Sequence, residues 1–157
     1  MNTTLTIAMS MQPSQANIFG NIHGGEIMKI MDTAAGSTAV QYARKNVVTA
    51  RVDELQFLHP VHVGNFLTCT GRIVYVGTTS MEVYVTVDVE NLFLEDGKRR
   101  ALEAFFTMVA LSESGRPTPV PPYEPETEED RALYERVKTR RAFDSKRRED
   151  AKKQVGG

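Results

Sequence analysis

Strict alternation of apolar and polar residues marks the most regular part of this chain. Between positions 81 and 90 every second residue is apolar: Met81, Val83, Val85, Val87 and Val89. Since successive side chains of a strand point to opposite faces, this pattern predicts a strand with one buried face. Related runs predict four more strands, over residues 5–11, 48–57, 66–76 and 99–111. Short turns join the last four strands, which indicates antiparallel neighbours.

The periodicity changes to that of a helix between Gly24 and about Lys45. One face of this segment is formed by Ile27, Met31, Ala34, Thr38 and Tyr42. This spacing is typical of an amphipathic helix. A long helix followed by an antiparallel sheet predicts an α+β domain in which the sheet covers the helix. A glycine inside a helix costs about 1 kcal/mol relative to alanine, so we expect Gly36 to serve a close packing contact.

The composition changes after Gly115. A proline-rich stretch over residues 116–122 predicts a stiff, extended linker. An acidic run and then many arginines and lysines follow, which favours a solvated helix from Glu128 to about Lys153. We therefore expect a folded domain over residues 1–115, and a linker with a charged helical tail over residues 116–157.

Length and charge narrow the class of protein. A chain of 157 residues is large enough to bury a core without disulfides or metal. Its single cysteine, Cys69, lies in an apolar run and is predicted to be a small buried side chain. The net charge of −1 argues against general affinity for nucleic acid or membranes. No segment resembles a membrane span or a signal peptide, so we expect a cytoplasmic protein.

The candidate chemistry lies where a glycine-rich turn enters the long helix. The first N–H groups of a helix have no partner within it, so Gly24 and Gly25 are candidate donors to a developing oxyanion. Asp32 follows about two turns later beside apolar neighbours, and we expect its carboxylate to be buried. Such a carboxylate can attack a carbonyl or deprotonate water. The sequence leaves both roles open, and both point to acyl transfer.

Other chemistries lack their usual signatures. The spacing of His59 and His62 matches no common zinc pattern, and no cysteine pair supports one. His23 is predicted to hold the turn rather than to act as a base. No serine lies in a G-x-S-x-G elbow. The sequence therefore predicts no metal site and no serine triad.

The segment from Asn17 to Ala35 carries the pattern N-x-x-G-x-x-H-G-G-x-x-M-x-x-M-D-x-A-A. This pattern resembles the hotdog-fold acyl-CoA thioesterases of the cytosolic acyl-CoA hydrolase type. A second segment, residues 57–65, is similar to the F-x-x-P-V-x-V-G-D/N motif of that family. The resemblance covers about residues 5–110.

The resemblance implies a sheet wrapped around the long helix, and dimers that assemble further into tetramers or hexamers. It implies an active site at the dimer interface, with Asn17 from one subunit and Asp32 from the other. The amide of Asn17 would orient the thioester carbonyl or the attacking water. CoA would be the leaving thiol, so it is part of the substrate and no separate cofactor is expected.

The resemblance also suggests where CoA is held. A turn between two central strands would offer N–H and hydroxyl donors to the pyrophosphate or pantetheine of CoA: Gly77, Thr78, Thr79 and Ser80. The phosphates also need cations, and the sequence does not separate five candidates: Arg51, Arg72, Lys98, Arg99 and Arg100.

The expected activity is hydrolysis of fatty acyl-CoA to a free fatty acid and CoA. Two alternatives remain at this stage. One is a hotdog dehydratase that acts on a hydroxyacyl thioester. The other is a non-catalytic acyl-CoA sensor that uses the basic tail for a partner. Self-association is expected in each case, without nucleic acid or membrane.

Overall fold

The computed structural model describes residues 2–156, so the outermost residues of the two expected segments, Met1 and Gly157, lie outside it. Five strands and two long helices follow one another along the chain: β1 (Thr4–Ser10), α1 (Gly24–Ala43), β2 (Asn46–Phe57), β3 (Phe66–Val76), β4 (Ser80–Glu90), β5 (Arg99–Leu111) and α2 (Glu128–Val155). The predicted α+β order is confirmed, with element ends shifted by one or two residues.

All five strands form one antiparallel sheet in the order β1-β3-β4-β5-β2. The alternating apolar residues of β4 are fully buried on the face that we call inner, which packs against α1. The other face, called outer, carries Tyr84 and Phe105, and it packs against Val137 of α2. The sheet therefore separates the two helices.

Helix α1 buries the face that its periodicity predicts. Met31, Ala34 and Thr38 are fully buried against the inner face. The helix ends at Ala43, and Arg44 takes the left-handed conformation (φ 56°) while its N–H donates to the carbonyl of Val40. A left-handed residue after the last turn is a common helix stop, and it places the end two residues before the predicted one.

The closest approach between α1 and the sheet occurs at Gly71, not at Gly36. A Cβ at Gly71 would lie 2.3 Å from Oγ1 of Thr38 and 3.1 Å from the backbone oxygen of Ala34. A Cβ at Gly36 would meet only the methyl carbon of Met108, at 3.9 Å. The expected packing role of Gly36 is therefore wrong in this protomer, because the strand supplies the glycine at the contact.

Gly71→Ala is expected to destabilise the protein by about 1–3 kcal/mol, because the new methyl group would overpack against the buried hydroxyl of Thr38 and the backbone oxygen of Ala34. The melting temperature should fall by several degrees, whereas Gly36→Ala, which has room for a methyl group, should not lower it. Thermal unfolding of both variants measures this, and equal losses would contradict the assignment of the contact.

Strand β2 lies at the edge of the sheet, and among residues 2–156 its only strand partner is β5. Its register shifts twice, between Thr49 and Arg51 and again between Asp53 and Gln56. Glu54 lies in the second irregularity with φ 53°, a left-handed conformation that is rare for a non-glycine residue.

The tail returns to the body of the protein. In the linker, N–H of Val120 donates a hydrogen bond to the carbonyl of Thr78. The hydroxyl of Tyr42 donates a hydrogen bond of 2.7 Å to the carbonyl of Pro122. Helix α2 then starts at a capping box of Thr127 and Asp130 and buries Val137 on the outer face. The expectation of a solvated tail helix is therefore wrong for its first half.

None of the helices in residues 2–156 is long and apolar enough to cross a membrane.

Candidate active site

The loop before α1 is shaped by the side chain of Asn17. Its Oδ1 accepts hydrogen bonds from N–H of Phe19 at 2.9 Å and of Asn21 at 3.2 Å. Gly20 supplies the left-handed turn (φ 82°) that this short loop requires. Because both bonds use the carbonyl oxygen, the amide nitrogen has no protein acceptor within the described chain. It is the atom of Asn17 that remains available as a donor.

Helix α1 begins directly after this loop with two glycines. The carbonyl of His23 already accepts from Glu26 and Ile27, whereas N–H of Gly24 and Gly25 has no acceptor among residues 2–156. Among the described residues, a Cβ at Gly25 would meet no atom within 4 Å, so the space beside this residue is open. The predicted pair of unpaired donors is therefore present in the structure.

Asp32 lies on α1 at the border between the buried and the exposed face. Its Oδ1 accepts a hydrogen bond of 2.5 Å from the hydroxyl of Thr49 on β2. The residue is exposed in the single protomer, although Met31 beside it is fully buried. The expected burial of Asp32 is therefore wrong for one chain alone, because a step of one residue turns the side chain about 100° around the helix.

The sequence reasoning missed Thr49. It lies in a predicted strand among valines and carries no motif of its own. Its register partner is Met108 on β5, so it faces α1 across the inner face. Only the pairing of an edge strand with β5, 59 residues further along the chain, brings this hydroxyl to Asp32. No local signal in the sequence predicts that pairing.

The donors and the carboxylate lie apart within one protomer. Seven residues separate Gly25 from Asp32, which corresponds to roughly 10 Å along a helix. Gly24 packs near the end of β2, where a Cβ would lie 3.2 Å from the ring of Phe57, whereas Asp32 binds Thr49 near its start. The structure therefore does not bring the glycine N–H donors and Asp32 together within one chain.

An apolar cavity of about 340 Å³ opens beside the helix start. Gly24 and Phe57 lie on it, and the buried residues Ile27 and Leu102 line it as well. This volume is at the lower end of the range for sites that hold small organic ligands.

The turn predicted to contact CoA lies at the end of the sheet that carries Thr49. Ser80 pairs with Val109, which in turn pairs with Val48 of β2. Ser80 is buried, and its hydroxyl accepts a hydrogen bond of 2.8 Å from Arg141 of α2. N–H of Gly77 donates to the carbonyl of Ser80. A role of this turn in CoA binding remains a prediction. Thr78 and Thr79 are its best candidates, because the hydroxyl of Ser80 and the N–H of Gly77 already have partners within the chain.

Four of the five candidate cations are paired with carboxylates of the same chain. The pairs join Arg51 to Asp53 and Asp144, Arg72 to Glu129 and Asp130, Arg99 to Asp96, and Arg100 to Asp88 and Glu103. Within the described range, Lys98 is the one of the five without a carboxylate partner. Lys98 is therefore the unpaired candidate, but it lies in the turn between β4 and β5, at the end of the sheet opposite Thr78 and Thr79.

No group of three or more potential metal ligands occurs in the part of the chain that the structure describes. His23 is exposed and its side chain does not cap the helix. Burial, with a further contribution from Asp88, raises the pKa of the Cys69 thiol to about 12. A thiol of this kind is inert as a nucleophile at neutral pH.

Comparisons with known proteins identify the family and the fold. Residues 19–92 match the model of the thioesterase superfamily. The fold is similar to that of an apo-hexameric acyl-CoA thioesterase with a TM-score of 0.86 and 39% identity, over 92% of both chains. This chain belongs to the acyl-CoA thioesterase family. Its sheet around one long helix is the hotdog fold of that family.

Two further family members add detail. The chain is 41% identical over 129 residues to the human cytosolic acyl coenzyme A thioester hydrolase, and it spans 34% of the length of that relative and 82% of its own. An acyl-CoA hydrolase from Staphylococcus aureus has a TM-score of 0.85 and 30% identity over 97% of this chain and 92% of its own. It is known in complex with butyryl coenzyme A and coenzyme A, and as alanine variants of one asparagine, one aspartate and one threonine.

Proposed function

We propose that this protein hydrolyses acyl-CoA thioesters to a fatty acid and CoA. The observation that carries the proposal is the hydrogen bond from Thr49 to an exposed Asp32 on the helix whose first N–H groups are unpaired. Thioester cleavage requires a base or nucleophile and donors for the oxyanion. The carboxylate of Asp32 supplies the first, and the N–H groups supply the second.

The chemistry follows from the free atoms of these residues. Thr49 occupies Oδ1 of Asp32 and fixes the direction of the carboxylate, so Oδ2 is left to attack the carbonyl or to take a proton from water. N–H of Gly24 or Gly25, at the positive end of the helix dipole, stabilises the negative oxygen. The thiolate of CoA is a good leaving group, so no strong acid is required.

The complete site is proposed to combine two protomers. A donor and a base that each lie about 3 Å from one carbonyl group are roughly 6 Å apart, less than the separation of Gly25 and Asp32 along α1. Beside Asn17, Ile18 and Phe19 are 92% and 82% exposed, so this loop presents an apolar tip to a neighbouring molecule. A second copy that covers the tip would bring Asn17 and the glycine donors to Asp32.

The Staphylococcus aureus relative supports these residue choices. Its replaced asparagine, aspartate and threonine are separated by 15 and 17 positions. The same residue types have the same separations here, in Asn17, Asp32 and Thr49. We therefore assign Thr49 to the site together with the two residues that the sequence motif indicated.

The proposal includes a hexamer of this chain, in line with the hexameric relative. Acyl-CoA is the proposed substrate, and Thr78 and Thr79 are the proposed contacts of its CoA part. No cofactor is proposed, and the word cytosolic in the name of the human relative supports a cytoplasmic location.

Release of free thiol from a series of acyl-CoA esters tests the function. The wild-type protein should release one CoA and one fatty acid for each ester consumed. Binding without thiol release would indicate a sensor. Loss of the enoyl absorbance of crotonyl-CoA without thiol release would indicate a dehydratase. Either result would overturn the proposal.

A further inference from the structure

A cluster of charged residues lies on the outer face of the sheet, directly behind Thr49. We call it the outer cluster; its members are Arg51, Asp53, Glu82, Thr107 and Arg140. They line a cavity of about 120 Å³ beneath α2. In the sheet, Met108 pairs with Thr49. Thr107, the residue before Met108, pairs with Arg51. The bulge at Ala50 therefore joins the cluster on one face to Thr49 on the other.

Glu82 is the most buried acid of the cluster, at 1% exposure. Its Oε1 accepts a hydrogen bond from the hydroxyl of Thr107 at 2.8 Å and forms an ion pair with the guanidinium of Arg140 at 2.8 Å. Its other oxygen is buried without a hydrogen-bond donor in the described part of the protein. Arg140 is the one cation within 4.0 Å of Glu82 among the described residues, so it is the main compensation of this buried charge.

Arg140 also reaches the bulged part of β2. Its guanidinium lies 3.8 Å from Oδ2 of Asp53 and 3.4 Å from Oε2 of Glu54. Burial alone lowers the pKa of Arg140, but the attraction of Glu82, Asp53 and Glu54 outweighs it and raises the pKa above its usual value. One side chain of α2 thus connects β4 to the irregular segment of β2 that follows Thr49.

We propose that Arg140 is a positioning residue for the thioesterase site: it fixes the bulged edge strand from the outer face and thereby holds the Thr49 hydroxyl against Asp32. The inference rests on the proposed function. Its physical basis is that Arg140 joins the buried Glu82 of β4 to Asp53 and Glu54, four and five residues after Thr49 on β2. Glu54 also holds a strained left-handed conformation where Arg140 binds it. Small displacements of groups that orient a catalytic residue lower turnover strongly.

Helix α2 offers a matched control one turn earlier. Arg136 also binds Glu54, at 2.8 Å, and stacks on the ring of Phe105 at 5.1 Å, beside Arg140 at 5.4 Å. Arg136 has no ion pair with Asp53 or Glu82 in the described structure. A variant at Arg136 therefore removes a similar arginine from the same helix without disconnecting β4 from β2.

The test compares kcat and KM for acyl-CoA in Arg140→Met, Arg140→Lys and Arg136→Met, each also combined with Thr49→Val. Arg140→Met is expected to lower kcat roughly 10-fold with KM changed less than about 2-fold, and Arg140→Lys should retain an intermediate kcat. Arg136→Met should stay within about 2-fold of the wild type. In the Thr49→Val background, Arg140→Met should lower kcat by less than about a further 2-fold, because the hydroxyl that Arg140 positions is already absent.

Two results would overturn the inference. One is an equal loss of kcat in Arg136→Met and Arg140→Met, and the other is a full additional loss for Arg140→Met in the Thr49→Val background. If Arg140→Met does not fold, the same cycle with Arg140→Lys decides, since lysine keeps a charge opposite Glu82. A wild-type protein without thioesterase activity would instead refute the proposed function, so the two failures are distinguishable.

Discussion

Replacing Asp32 by asparagine is expected to reduce kcat for acyl-CoA hydrolysis by at least about 1,000-fold. The amide is too weak a base to take a proton from water and too weak a nucleophile to attack the carbonyl. Its oxygen still accepts the hydrogen bond from Thr49, so the local geometry is kept. The loss would therefore be a loss of chemistry, measured as thiol release under saturating acyl-CoA.

The stability of the same variant separates catalysis from folding. Asparagine has nearly the same size as aspartate and keeps the hydrogen bond from Thr49, so the free energy of unfolding should change by less than about 1 kcal/mol. Thermal unfolding and the assembly state should match the wild type. Glu95→Gln, an exposed carboxylate in the turn between β4 and β5 at the opposite end of the sheet, is the matched control and should keep full activity. Near wild-type turnover in Asp32→Asn would contradict the assignment.

Asn17→Asp is expected to lower kcat by roughly 100-fold or more with a smaller change in KM. A carboxylate in this position can still accept the two N–H bonds from Phe19 and Asn21, so the loop is retained. It cannot donate a hydrogen bond to the thioester oxygen as the amide nitrogen can. The variant therefore removes the donor and leaves the turn intact.

Asn21→Ala provides the control for Asn17. Asn21 lies four residues later in the same loop, and its backbone N–H, which the substitution does not change, makes the bond to Asn17. Its kcat should stay within about 3-fold of the wild type. If Asn17→Asp keeps a normal kcat, or if both variants lose activity equally, the donor role of Asn17 would be wrong.

The sequence predicted the parts of the fold that depend on local periodicity. The buried face of α1 and the alternation of β4 follow from the spacing of their apolar residues, and the structure confirms both. The motif around Asp32 also predicted the family, and the comparisons confirm it. These features depend on residues that are close together in the sequence, so a single sequence is enough to predict them.

Features that depend on distant pairing were missed. Thr49 reaches Asp32 only because β2 pairs with β5 beyond β4 and carries a bulge at Ala50. The tail looked solvated because its few apolar residues are widely spaced among charges, yet Val137 is buried and Arg140 binds Glu82. Long-range ion pairs and strand order leave no periodic signal in the sequence.

Subunit complementation tests the central claim most directly. Asp32→Asn and Asn17→Asp protomers carrying different tags are mixed by joint refolding, with each variant refolded alone as the control, and thiol release is measured. If each site takes Asn17 from one protomer and Asp32 from its partner, a mixed dimer contains one fully native site. An equal mixture should then recover about a quarter of wild-type activity, because half of the dimers are mixed. A mixture no more active than its two inactive components, with mixed dimers shown to be present, would contradict a shared site.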